Sequence, residues 1–304
     1  MVRGGGDKMT VKRSTGEKVF SIFNVVIMIL LMIICVYPFL YVLFASFSDP
    51  YNLMRHQGLL LKPLGFTTKG YELVFRNPDI RTGFMNTFFY VTVGTAISIL
   101  LTSMSAYVLS REGLLWGKPL MLMVTIPMFF SGGLIPFFLQ VQRLGLMDRR
   151  LAIIIPTAIS SWNLIIMKTA FKEIPGSLIE SARIDGANDF TILFKVVMPL
   201  SKATLAVMTL FYAVGQWNSW FNASLFLRER SKFPLQLILK EILISNETRE
   251  MMKTKGSAQF IKADAYKALI KYSTIIVSTL PILCIYPFLQ KYFVKGVMIG
   301  SVKE

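Results

Sequence analysis

The residues best placed to do chemistry in this sequence are hydrogen-bonding amides and rings set in apolar surroundings. Gln216, Trp217, Asn218, Trp220 and Asn222 crowd into seven positions of a run that is otherwise hydrophobic. Asn218 and Asn222, four apart, share one face of a helix. Amides in hydrocarbon turn inward to a neighbouring helix or a cavity, and amides beside aromatic faces suit the hydroxyls and the ring of a sugar. The same residues also suit interhelical bonding and interfacial anchoring. Trp162 and Asn163 form a second, smaller pair of the same kind. A catalytic set is not what the pattern suggests: neither paired carboxylates nor a nucleophile beside a base stand out. The single His56 lacks partners for a metal site, and Cys35 and Cys284 fall in apolar runs where buried free thiols are expected. The "RGGGDK" near the start lacks the spacing and preceding strand of a phosphate loop and reads as a tail.

The elements that must carry these residues are long and apolar. The 304 residues are 54% hydrophobic and 16% charged, with mean hydropathy +0.55. Six apolar windows near bilayer-spanning length lie at about 19–47, 84–109, 119–141, 151–167, 203–222 and 272–290. Runs so long and uniform are helices rather than barrel strands, so the expected fold is an all-α polytopic membrane protein with six transmembrane helices. The first window follows a basic lead, residues 1–18, and outruns the apolar core of a signal peptide, so it is expected to stay as a span. Pro127, Pro136 and Pro156 with Gly132-Gly133 predict that the third and fourth spans bend or break. Two long connections, 48–83 and 224–271, join the spans. The second contains "FPLQLILKEILI", expected to be a surface helix on the membrane face or against an external partner.

One connection is too polar and too long for a turn. "EIPGSLIESARIDGANDFTILFKVVMPL", Glu173 to Leu200, holds four acidic residues. Ser177 and Glu180 have capping-box spacing, predicting a helix through Asp185 that Gly186 closes in the left-handed region. Asn188 or Asp189 would cap a second short helix carrying Phe190, Leu193, Phe194 and Val197, and Pro199 restarts the chain. An amphipathic helix–Gly–helix elbow of this kind suits either the lipid headgroup zone or a groove on a soluble partner.

The elbow resembles the coupling loop of ATP-binding-cassette importer permeases. Glu180-Ser181-Ala182 stands where that family has Glu-Ala-Ala, with Ser181 in place of the usual Ala; Gly186 takes the central glycine and Met198-Pro199 the close. Asp185-Gly186-Ala187 makes the match specific. "FFSGGLIPFFLQVQRLGLMDRRLAIIIPTAISSWN", "VGQWNSWFNASLFL" and "TLPILCIYPFLQKYFVKGVMIGSVKE" resemble the carbohydrate-importing subgroup. The resemblance implies a type I importer permease fold over 19–292, with cytoplasmic tails 1–18 and 293–304 and a cytoplasmic coupling elbow 177–199. It implies that Ser177, Glu180, Ser181, Ala182, Asp185, Gly186, Ala187, Phe194 and Pro199 serve the ATPase contact. The partners implied are a second, different permease chain, two copies of an ATPase subunit, and a lipoprotein or periplasmic substrate-binding protein. ATP and Mg2+ would be held by the ATPase, with no cofactor in this chain, and the setting would be a bacterial cell membrane.

Charge alone does not orient the chain. With the N-terminus inside, Lys and Arg number 15 on the inner side and 18 on the outer, the latter inflated by the long 224–271 segment. The net charge of +16 suits anionic lipid rather than nucleic acid, for which no module is visible. Two other readings are weighed against a carbohydrate permease: an importer permease for a different solute, and an ion-coupled secondary transporter. The second calls for ionisable residues inside the spans, of which the six windows hold almost none.

Overall fold

The computed structural model describes residues 14–251 and 265–285, with side chains described outside 245–251. Residues 1–13 of the first tail, the tail 293–304, residues 252–264 of the second long connection and the end of the sixth window lie outside the described residues. Among the described residues all regular structure is helical, apart from an isolated bridge between Ser48 and Phe66. Helix α1 (Thr15–Ser46) runs 32 residues, about 48 Å at 1.5 Å per residue. The apolar face that qualifies it as a span is wholly uncovered. It is tied down at its end, where Ala45 and Ser46 are buried and Ser46 Oγ pairs with Tyr71 at 2.7 Å. Short helices α2 (Pro50–Arg55) and α3 (Lys69–Arg76) fill the first long connection. There His56 is half-buried, its Nε2 3.2 Å from the Leu59 carbonyl.

Helix α4 (Pro78–Leu109) is the centre of the bundle. Asn77 caps it, accepting from the Asp79 N–H at 2.9 Å, and Pro78 opens it with a preset φ. Its buried face reads Gly83, Asn86, Thr87, Tyr90, Gly94, Thr95, Ser98, Thr102, Ser103, Ala106. Small residues let neighbouring backbones close in where no water drives association. At Gly83 a Cβ would stand 2.6 Å from Ile238 Cδ1 and 3.1 Å from the Leu235 backbone.

The third window is two helices, α5 (Gly117–Phe129) and α6 (Leu134–Arg143), parted at residues 130–133 with Gly133 at φ +85°. The fourth is α7 (Leu151–Ile154) continued by a tight turn through Pro156, then α8 (Ser161–Lys172), with a 52° bend between them. After α8 come the elbow helices α9 (Gly176–Ile184), α10 (Asp189–Ile192) and α11 (Met198–Leu200). The fifth window is α12 (Lys202–Trp217) and α13 (Trp220–Phe226), broken at Asn218-Ser219. Helices α14 (Leu235–Met251) and α15 (Ala265–Ile285) follow. Among the described residues, α1, α4 and α15 are each long and apolar enough to cross a membrane alone, and up to five spans result if each bent pair counts as one. The breaks in the third and fourth windows fall at Gly133 and Pro156, whereas Pro127 and Pro136 lie within α5 and α6 and the fifth window breaks at Asn218-Ser219 without either residue type. The fold is an all-α polytopic membrane protein built from whole and interrupted helices.

Two expectations are corrected. The "FPLQLILKEILI" helix does not lie on the surface: Leu235, Leu237, Ile238 and Leu239 of α14 are buried, because Gly83 opens α4 to receive them. Cys35 and Cys284 are exposed rather than buried, since both stand on outward faces of α1 and α15.

The α4–α14 contact predicts a mutational asymmetry. Gly83→Ala should lower the melting temperature of the purified complex, equivalent to about 1–3 kcal/mol of overpacking. Gly16→Ala, with nothing within 4 Å of the new Cβ, should leave it unchanged. Equal melting of the two variants would contradict the packing.

Candidate functional site

The elbow forms, but by a different start from the one the sequence suggested. Pro175 stands at the N-cap of α9 and no side chain caps the helix, so the Ser177–Glu180 capping box is not made. Proline's fixed φ turns the chain into the helix two residues earlier, which places Ser177 and Glu180 inside α9 with both exposed. The stop is as expected. Gly186, at φ +79°, donates to the Arg183 carbonyl at 3.0 Å, and Ala187 donates to the Ala182 carbonyl at 2.9 Å. That pair of bonds is a Schellman motif, and it gives Ala182, Asp185, Gly186 and Ala187 one shared job. Asn188 then caps α10, accepting from the Thr191 N–H at 2.8 Å. A widened π-type turn, Leu193–Val197, leads to Pro199, which has no N–H to give the Lys195 carbonyl that an ordinary α-turn would pair with it. The axis bends by 90° between Asp189–Leu200 and α12.

One side of the elbow is anchored. Ile179, Ile192, Leu193 and Val197 are buried against Ala106, Tyr107, Met167, Phe171 and Met208 at the ends of α4, α8 and α12. Tyr107 donates its hydroxyl to Asp189 Oδ1 at 2.8 Å, Arg183 approaches the same oxygen at 3.4 Å, and the Arg111 guanidinium lies 3.8 Å over the Tyr107 ring. The Tyr107 bond, then Arg183 and Arg111, hold the Asp189 carboxyl below the usual carboxylate range. The other side is bare and apolar: Leu178, Ile184, Phe190 and Phe194 are exposed, Ile184 by 86%. Glu180 and Ser181 are exposed with them.

The amide cluster divides. A cleft of about 230 Å³ is lined by Thr157, Tyr212, Gln216, Asn218, Ser219 and Asn222 among others. Trp217 turns away from it and is buried edge-on to Phe84 and Phe88, at 6.5 and 6.0 Å. Trp220 lies under the Lys240 ammonium at 3.6 Å. Trp162 is largely exposed and Asn163 buried in α8, and neither lines this cleft. The break at Asn218 removes the continuous helix face expected for Asn218 and Asn222, yet both reach the same cleft.

At the other end of α4 from the elbow, a polar strap formed by residues 227–234 crosses the bundle. Asn86 donates to the Ser231 and Phe233 carbonyls at 2.7 and 3.1 Å and accepts from Arg150 at 3.0 Å. Tyr90 donates to the Lys232 carbonyl at 2.8 Å, and Arg230 reaches Asp79 and Glu241. Asp148, at φ +55°, accepts from the Arg228 and Glu229 N–H groups and from Lys232 Nζ. The two backbone donors and Lys232 pull its pKa down to about 2.

Residues 116–299 match the family described as binding-protein-dependent transport system inner membrane component. The chain belongs to that family. This permease is 41% identical over 288 residues to the polygalacturonan/rhamnogalacturonan transport system permease protein of Bacillus subtilis (strain 168), covering 94% of this chain and 99% of that one. It is 26% identical to the arabinooligosaccharides transport system permease protein of Halalkalibacterium halodurans, over 89% of this chain and 92% of the other. Among solved structures it is similar to a chain of a bacterial ABC transporter involved in import of the acidic polysaccharide alginate. That match has TM-score 0.84 and 32% identity, and covers 93% of this chain and 100% of the other. As a permease subunit of an ATP-binding-cassette import system it is not itself the catalytic part; ATP hydrolysis resides in a separate subunit.

Reading the permease from sequence missed two features. Tyr107 and Arg111 lie some eighty residues before Asp189, so nothing local linked them to the elbow. The strap hinges on Asp148, whose left-handed φ had one signal, its place just after Gly145 in a turn.

Two outcomes follow for the permease. Tyr107→Phe should leave Asp189 with Arg183 and the more distant Arg111 and raise amide exchange across residues 186–192 severalfold in the assembled complex, with assembly intact; unchanged exchange would make the Tyr107 bond dispensable. For Asp148, the folded pKa lies below the ordinary 3.8, so its contribution is complete above the ordinary value and is lost as pH falls toward about 2. Pepsin cleavage within 227–234 should rise steeply across that window, and Asp148→Asn should be cut readily already at pH about 5, above the window. A flat profile in the unaltered protein would contradict the strap's dependence on Asp148.

Proposed function

We propose that this chain is one of two different permease subunits of an ATP-driven importer that takes an oligosaccharide from an external binding protein. The single observation that carries the coupling role is the elbow: a face of Leu178, Ile184, Phe190 and Phe194, left bare on a segment pinned to the end of α4. That face, with Glu180 and Ser181 beside it, docks in a groove of the ATPase subunit, two copies of which hold ATP and Mg2+. Ala182, Asp185, Gly186, Ala187 and Pro199 shape the elbow rather than contact nucleotide, and Ser177 is exposed on α9 with Glu180. In this reading six membrane passages, three of them interrupted helices, bring both termini to the side of the elbow, which is the cytoplasm because the ATPase docks there. The strap then faces outward, toward the substrate-binding protein. Lipid covers the bare face of α1 or the second permease does. Residues 19–292 form the permease domain, and the setting is a bacterial cell membrane.

The carbohydrate assignment draws support from the relatives, whose names specify polygalacturonan/rhamnogalacturonan, arabinooligosaccharides and alginate. The first and last of these favour an acidic oligosaccharide. Coupling is thermodynamic: ATP and the loaded binding protein each prefer one arrangement of the helices, and the elbow carries the difference.

The test is the glycine stop. No atom lies within 4 Å of a Cβ at Gly186, so the cost of substitution there is backbone strain, not a clash within this chain. Gly186→Val forces a β-branched residue into the left-handed region, roughly 1–3 kcal/mol, and should weaken ATPase association or uncouple hydrolysis from uptake. Gly186→Asn, which tolerates that region, should retain most activity. Normal assembly and normal binding-protein-stimulated ATPase in Gly186→Val would overturn the coupling role. Uptake against a gradient by this chain alone under an imposed ion gradient would overturn the importer reading.

A further inference from the structure

The cleft beside the break in the fifth window holds two amide oxygens, Gln216 Oε1 and Asn218 Oδ1, left free as acceptors because the amide nitrogens beside them donate within the chain. Thr157 Oγ1 donates to the Ile153 carbonyl at 2.9 Å, so toward Gln216 it can only accept, and Gln216 Nε2 donates to it at 3.2 Å. This fixes which way the Gln216 amide points. Gln216 is only 4% exposed, and its Oε1 is buried with no partner among the described residues. Asn218 follows the same logic: its Nδ2 donates to the Val214 carbonyl at 3.0 Å, which leaves Oδ1 as the free end. The Tyr212 hydroxyl is engaged by Thr102 at 2.7 Å and by the Ser160 N–H at 3.1 Å. Ser219 Oγ is buried without a partner among the described residues, and charged side chains do not line the cleft. Gly94 makes room for this arrangement, since a Cβ there would stand 2.9 Å from the Gln216 amide carbon.

We propose that this cleft is a hydroxyl-donor subsite, in which Gln216 Oε1 and Asn218 Oδ1 accept from the hydroxyls of one sugar ring and turn away a carboxylate. The inference rests on the importer reading and adds the chemistry of the contact. A buried acceptor without a donor is costly, and a ring hydroxyl satisfies it. An ionised carboxylate is acceptor-only and would set like against like. At about 230 Å³ the cleft falls below the range of pockets that enclose larger ligands, and it suits a single ring of a passing chain. An acidic oligosaccharide therefore presents a hydroxyl edge to these two oxygens, with its carboxylates directed away from them.

The experiment uses the full complex with its partner permease, ATPase and binding protein in proteoliposomes. The probes are oligogalacturonides and the same oligomers after carboxyl reduction. Gln216→Leu and Asn218→Ala should each assemble normally and lower uptake of both probes, Gln216→Leu by about tenfold, through KM as well as kcat. Gln216→Glu, which keeps its acceptors and adds a charge, should retain uptake of the reduced oligomers and lose the native ones. Unchanged uptake in Gln216→Leu and Asn218→Ala would overturn the subsite while leaving the importer reading intact. Loss of assembled complex in both, with normal uptake per surviving complex, would assign the acceptors to the partner permease and overturn the subsite as well. Failure of the unaltered complex to take up either probe, with transport of a non-sugar solute instead, would overturn both readings.

Discussion

The close packing of one small-residue face carries the rest of this molecule. Gly83, Gly94, Ser98, Ser103 and Ala106 along α4 admit α14, α12 and α8 at distances that larger side chains would forbid. Because α4 is one uninterrupted helix, it also sets a length. Asn86, under the strap, and Tyr107, under the elbow, are 21 residues apart, roughly 30 Å at the helical rise, which is about the thickness of a bilayer's hydrocarbon core. The two polar assemblies of the chain are thus held about one bilayer core apart by a single uninterrupted helix.

Around that rod the third, fourth and fifth windows are broken helices, and two of the breaks carry the polar chemistry. An uninterrupted helix satisfies its own backbone and offers only side chains. At Asn218-Ser219 and at the turn through Pro156 the chain instead opens, and the cleft forms between these two points. Irregular backbone at membrane depth is tolerated where it lines a cavity or is covered by protein. The apolar side chains of α1 and the bare face of the elbow do the opposite: neither is covered among the described residues, and both offer a surface to another component.

Much of this was legible in the sequence for physical reasons. Long apolar runs have few alternatives in water or lipid, so the helical class and the approximate windows followed from length and hydropathy. Pro156 and Gly133 marked interruptions because their backbone limits are intrinsic, while Pro127 is carried inside α5. Gly186 marked the elbow's stop for the same reason. The start of α9 was misread because Ser177-Glu180 and Pro175-Gly176 are competing local signals, and the fixed φ of Pro175 acts earlier in the chain. The sorting of Trp217 from Gln216 was not legible, since adjacent residues differ by about 100° around a helix and only the tertiary partners Phe84 and Phe88 decide which one faces a cavity. Tyr107–Asp189 and the Asp148 strap were hidden likewise, being contacts between residues distant in sequence.

The central claim is that the anchored elbow offers its bare face to the ATPase. A photo-reactive phenylalanine analogue introduced at Ile184, the most exposed apolar residue of the elbow, tests it directly in membranes holding the whole complex. The account predicts a covalent adduct with the ATPase subunit, and no such adduct when the same group replaces Arg228 in the strap. Adducts at Ile184 with lipid or with the second permease alone, and none with the ATPase, would contradict it.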